Sequence, residues 1–293
     1  MIEGILNILK PPGMTSSDVV ADVRHILHMK RVGHMGTLDP GAAGVLGICL
    51  GRATRLFDLL VDKEKEYVCE LALGKTTDTQ DSYGAVLEVA PVTADEALLL
   101  SVLPRFTGEI EQTAPLYSAI KVDGKALYAH TRAGNAVESR SRRVQIYELS
   151  YLGSSEPDRY MLRIRCSKGT YIRTLCQDIG AAMGCPAHMS FLLRTAAGPL
   201  RVEDAVSLAE LSDMAERGCA EAAVTPPDAA LPFLPPLAPA LSPKHRKFLL
   251  NGASIPTEAA DGLLRLYVDD AFIGVGEAKD GMLHLSLSFL QGD

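Results

Sequence analysis

The chain has 293 residues, 47% hydrophobic and 22% charged, a globular usage that excludes a disordered or fibrous protein. Its length exceeds one typical domain and predicts a body with a small appendage. The net charge of −7 argues against a wholly basic nucleic-acid binder, and the best apolar run, Ala42 to Gly51, stops at Arg52, short of the roughly 20 residues of a membrane span. Met1-Ile2-Glu3 lacks the basic start of a secretory signal, so a soluble, cytoplasmic protein is expected, with no membrane partner. Six scattered cysteines form no C-x-x-C pair and read as reduced structural thiols.

In chain order, the pattern predicts a helix over 17–27, a shaped loop from Gly33 to Gly47 and a strand over 67–73. A polar loop from Thr76 to Gly84 follows, then a helix over 93–103. Next comes a long basic excursion over about 115–145, a strand over 160–166 and an amphipathic helix over 172–183. Seven prolines between Pro226 and Pro243 read as an extended connector. After it, 263–268, 271–276 and 282–289 alternate apolar and polar residues between Asp/Gly turns, as short strands do. The fold class is therefore α+β. The expected division is a catalytic domain over 1–230, a connector over 231–243 and a small β-rich domain over 244–293.

Averaging hides one asymmetry. Residues 120–200 carry 12 Lys/Arg against 6 Asp/Glu, a net +6 inside an acidic protein. Lys121, Lys125, Arg132, Arg140, Arg142 and Arg143 lie in or near the excursion, interleaved with Tyr117, Tyr128 and His130. Basic residues mixed with rings suit a phosphate backbone with splayed bases. An exposed connecting arm without a ligand is the bland alternative for the same residues.

The loop from Gly33 presents a single His34 and a single Asp39 among glycines, and Pro40 biases Asp39 towards extended backbone. A carboxylate on such a loop suits a nucleophile or base that must meet a bulky substrate. A turn whose Asp caps its own backbone fits the isolated D-P-G as well. The glycines lack the ending of a phosphate loop, and one His with one Asp is too few for a metal site. Tyr67 falls on one strand face with Cys69, Leu71 and Leu73. Arg173 opens a helix, where the dipole disfavours a cation, so an Asp partner from elsewhere is expected.

Taken together, Lys10-Pro-Pro-Gly-Met-Thr-Ser-Ser-Asp, Gly33 to Gly51, Lys65 to Gly84 and Cys166 to Leu175 resemble, in order and spacing, four motifs of the bacterial tRNA pseudouridine-55 synthase (TruB-type) family. The resemblance extends through Ala187-His188 to Arg194, and more weakly to a small PUA-type RNA-binding domain at the end. It implies a central, mixed but largely antiparallel sheet flanked by helices. It also implies a cofactor-free, metal-free reaction in which a uridine of the tRNA T-loop is detached at N1, turned and rejoined through C5. By the same resemblance Asp39 is the catalytic carboxylate, Arg173 its ion-pair partner and Tyr67 the ring under the flipped uracil. Tyr171 and Leu192 neighbour the base, His34 contacts the T-loop, and Lys10 lies at the substrate. The expected partner is the T-arm of tRNA and the expected state a monomer. Two alternatives stand: an idle RNA-binding or tRNA-folding protein on the same scaffold, and a nucleoside hydrolase, which would ask for a second carboxylate.

Overall fold

The computed structural model describes residues 2–61, 63–115, 121–122, 125–126 and 141–290. Arg132 and Arg140 lie outside them, as do Tyr117, Tyr128 and His130. The strands are β1 (Gly4–Lys10), β2 (Val32–His34), β3 (Ala43–Leu50), β4 (Lys65–Leu73), β5 (Lys75–Thr77), β6 (Val86–Val89), β7 (Gly108–Thr113), β8 (Lys121–Val122) and β9 (Lys125–Ala126). They continue with β10 (Ser141–Glu156), β11 (Arg159–Cys166), β12 (Ala187–Ala197), β13 (Leu200–Arg201), β14 (Val224–Thr225), β15 (Pro236–Leu237), β16 (Ile255–Pro256), β17 (Gly262–Val268), β18 (Ala271–Lys279) and β19 (Met282–Ser288).

The main sheet runs β14-β1-β3-β12-β4-β11-β10-β7, with β2 on β3 and β13 on β12. Its pairings are antiparallel except β3 with β12, which run parallel through Leu193↔Ala43 and Arg194↔Gly44. The central strands are apolar on both faces, as strands covered on both sides must be. Thus Ile5, Val45 and Cys49 enter one cluster while Leu6, Ile8, Leu46 and Ile48 enter another on the opposite face. The second face is covered by the helix Ser16–Ile26 through Val19, Val20 and Val23. That helix starts where Thr15 accepts from Asp18 N and Asp18 accepts from Thr15 N, a reciprocal cap. The helix Ile172–Ala182 packs through Ile172, Leu175, Cys176 and Ile179 on Cys69, Leu71 and Leu73 of β4.

A smaller five-stranded sheet, β15-β17-β18-β19-β16, closes the chain. The prolines do not all lie in a free connector. Pro236–Leu237 pairs in parallel with Arg265 and Leu266 at the sheet edge, where a missing N–H is tolerated. Pro243 opens the helix Pro243–Leu250 behind a Ser242 cap. Ala230, Leu231 and Leu234 bury themselves with Val45, Leu56, Val275 and Phe289, so residues of both sheets share one apolar cluster. We therefore propose moving the start of the small domain from residue 244 to about the beginning of β15.

Candidate active site

Asp39 sits in the turn between β2 and β3, and four neighbours fix that turn. From the first motif, Ser16 Oγ accepts from Leu38 N at 2.9 Å and donates to Leu38 O at 3.1 Å. Gly13 N donates to Pro40 O at 2.8 Å. Lys10 Nζ donates to Pro40 O at 3.2 Å, Ala42 O at 2.7 Å and Pro11 O at 2.8 Å. Every donor of this ammonium is therefore engaged by backbone, and the side chain is fully buried. Lys10, which the resemblance places at the substrate, here fastens the loop that carries Asp39. Burial pulls the Lys10 ammonium down to about 8, against the pull of the nearby Asp39 carboxylate.

The fourth neighbour is Arg194 on β12, 2% exposed, whose Nε donates to Val45 O at 2.7 Å and whose Nη1 donates to Thr37 O at 3.3 Å. Gly44 lets β3 come this close: with φ of +112°, it lies against the Arg194 backbone where no side chain fits. The charge of Arg194 also reaches the Tyr67 hydroxyl, its register partner across β4 and β12. Burial raises the Tyr67 phenol above its usual value, and Arg194 works against that rise.

Asp39 and Arg173 meet as a two-pronged pair. Arg173 Nε lies 2.9 Å from Asp39 Oδ2 and Nη2 3.3 Å from Oδ1, while Nη1 donates to Thr79 O at 2.9 Å. The guanidinium is 5% exposed and the carboxylate 35%, so the cation is locked inside and the anion keeps access to solvent. The electrostatic demand of a helix-opening Arg is met by an Asp 134 residues away in the sequence. Tyr171 caps the same helix, held by Gln112 through both its N–H (3.0 Å) and its C=O (3.2 Å). Leu192 is buried in the cluster that also contains Leu38 and Cys69. His34, on β2, is partly exposed, and burial together with the charge of Arg194 keeps its ring below its usual basicity.

The basic residues separate. Arg143 is exposed beside Glu109 at 3.2 Å. Arg142 is half-buried, with its guanidinium 4.7 Å from the Tyr171 ring centre and against Gly169. A cation over this ring braces the side of Tyr171. Lys121 and Lys125 lie on the paired strands β8 and β9. Sequence reasoning missed Ser16, Gln112 and Arg194 as site-shaping residues. A signal existed for Arg194, the one cation at an inward alternation of β12 between Leu192 and Ala196. Among the described residues, no group of three or more His, Cys, Asp or Glu could hold a metal ion.

This arrangement can be set beside known proteins. Residues 24–172 match the TruB family pseudouridylate synthase N-terminal domain, 173–241 the tRNA pseudouridylate synthase B C-terminal domain, and 239–284 the pseudouridine synthase II TruB C-terminal domain. The chain is 42% identical to tRNA pseudouridine synthase B of Pelotomaculum thermopropionicum over 94% of this chain and 92% of that one. It is 46% identical to the enzyme of the same name from Geobacillus thermodenitrificans over 86% and 85%. Among solved structures, the Cbf5-Nop10-Gar1 complex aligns with a TM-score of 0.70 at 30% identity, over 97% of this chain and 79% of that chain. An H/ACA RNP bound to a substrate RNA containing 2'-deoxyuridine aligns at 0.73 and 27% identity, over 99% and 86%. On matches that run the length of both its sheets, the chain belongs to the TruB family of pseudouridylate synthases.

Proposed function

We propose that this chain isomerises uridine to pseudouridine in tRNA, and that its target is the uridine at position 55 of the T-loop. The observation that carries the chemistry is the Arg173–Asp39 pair, a buried cation holding a carboxylate at the mouth of a rigid loop. A stacked base is out of reach of that carboxylate, so the target must be extruded into the site. Asp39 then acts at the ribose, as nucleophile or as base. The N1–C1′ bond breaks, the uracil turns, C5 bonds to C1′, the C5 proton leaves and N1 gains one, so the overall step is an isomerisation that consumes nothing. Arg173 keeps Asp39 aimed through every stage by its two-pronged hold on the carboxylate. Tyr67 supplies the ring under the uracil. Its raised phenol is protonated in the free enzyme, and Arg194 lowers the cost of a transient phenolate when the C5 proton moves. Tyr171 and Leu192 border the base, and His34 meets the loop of the RNA. Arg142 and Arg143, with Lys121, Lys125, Arg132 and Arg140, meet phosphates; for none of these is a metal or cofactor invoked, and a monomer in the cytoplasm suffices.

The test is incubation of the purified protein with unmodified tRNA transcript, followed by mapping of new pseudouridine. Product at position 55, in EDTA and without added small molecules, is the expected result. Product solely at another position would overturn the site assignment.

A further inference from the structure

We propose that Tyr83 is a stacking platform for a nucleobase of the substrate RNA next to the extruded uridine; this rests on the reading of the site as one that modifies RNA. Tyr83 belongs to the turn between β5 and β6 and is 75% exposed, the most exposed of the large hydrophobic side chains among the described residues. Its position beside the site is fixed from two directions. The ring lies against Gly41, where no side chain would fit, and Gly41 is two residues from Asp39, within about 7 Å of chain. On the other side, the turn is tied to the ion pair itself, because Arg173 donates to Thr79 O.

The turn is also stiff. Tyr83 N and Thr79 Oγ1 donate to Asp81 Oδ1 at 3.0 and 2.6 Å, and Ala85 N donates to Asp78 Oδ1 at 2.8 Å. The nearby carboxylates are thereby occupied within the turn, where they hold the ring rather than confront a phosphate. An aromatic face held open to solvent by a rigid turn, one edge on the loop of the reacting carboxylate, loses little freedom when a base settles on it. When one uridine is withdrawn from its stack, its neighbour is left with an uncovered face. The Tyr83 ring is placed to cover it. Base recognition of this kind depends on the π-face and not on the hydroxyl.

The experiment uses the full chain and unmodified tRNA transcript. Tyr83→Ala is expected to weaken tRNA binding about tenfold, within the range of a single base–aromatic stack, and Tyr83→Phe to stay within about twofold of wild type. Because the chain contains no tryptophan, Tyr83→Trp creates its single indole emitter. Its fluorescence is expected to be quenched when saturating tRNA is added, a signal that a purely structural role for the ring would not give. Melting temperatures of the three variants close to wild type show that the turn is intact. Wild-type affinity retained by Tyr83→Ala, or an unquenched Tyr83→Trp in a complex shown to have formed, would overturn the inference while leaving the functional reading standing. Failure of the wild type to bind tRNA would overturn both.

Discussion

At the scale of single residues, the site is one carboxylate among buried cations: Asp39 faces Arg173, with Lys10 and Arg194 beneath its loop. Removing Arg173 leaves the carboxylate without the partner that aims it. Arg173→Ala is expected to lower stability by about 1–3 kcal/mol, less than for a fully buried pair because Asp39 reaches solvent, and to slow product formation at least a hundredfold. Denaturant unfolding and single-turnover rates check the two halves separately. Lys10 carries a signed pH dependence. Its folded value, about 8, lies below its unfolded one, so the folded state carries the burden of a buried charge below pH 8 and is relieved of it as pH rises towards 10.5. Wild type should therefore gain stability relative to Lys10→Met across that window, and a difference that is flat with pH would refute the assignment. That Arg173 needs an acid was legible in the sequence from its place at a helix start, whereas Asp39 as that acid came only from the resemblance to the TruB-type motifs. Lys10 was not legible as a loop clamp, since a lysine in a Pro-Gly segment carries no mark of which carbonyls it will meet.

Secondary-structure elements were legible where one physical signal dominated. The helix over 17–27 appears as Ser16–Ile26 and the strand over 160–166 as Arg159–Cys166, because apolar period and caps agree there. The loop read from Gly33 to Gly47 is shorter than expected. Its glycine-rich end is β3, whose glycines serve close approach between strands instead of a turn. The first motif gains its meaning at this scale, since the segment entering the helix Ser16–Ile26 both caps that helix and fastens Leu38 and Pro40. Ser16→Ala removes both bonds to Leu38 and is expected to slow catalysis about tenfold while tRNA affinity holds. Equal losses in rate and affinity would contradict a positioning role. The helix Ile172–Ala182 offers a cleaner test. Burial raises Asp178 to about 6, so its charge burdens the folded state above pH 6 and the burden vanishes below about pH 4. Asp178→Asn should melt higher than wild type at pH 7 and together with it at pH 3.5.

For the whole molecule, an acidic protein presents one basic stretch, so binding should be strongly salt-dependent despite the net charge of −7. Each phosphate neutralised contributes a slope of about −0.7 to −0.9 in log affinity against log salt. Arg143→Gln, at an exposed position, should reduce that slope by roughly one contact without moving the melting temperature. Arg142→Gln should act on the rate through Tyr171. The two-sheet division was visible in the sequence from the proline cluster, but its edge was not. Prolines that look like a spacer also suit an edge strand and a helix start, and only the pairing of β15 with β17 decides between them. The account as a whole stands on Asp39 as the group that makes and breaks bonds while the rest of the molecule holds RNA. Its most direct test is single-turnover pseudouridine formation measured beside equilibrium tRNA binding for wild type and Asp39→Asn, which keeps the volume and removes the charge. The account predicts a rate lowered by several orders of magnitude with affinity within a few-fold of wild type. An Asp39→Asn protein that forms pseudouridine at the wild-type rate would contradict it.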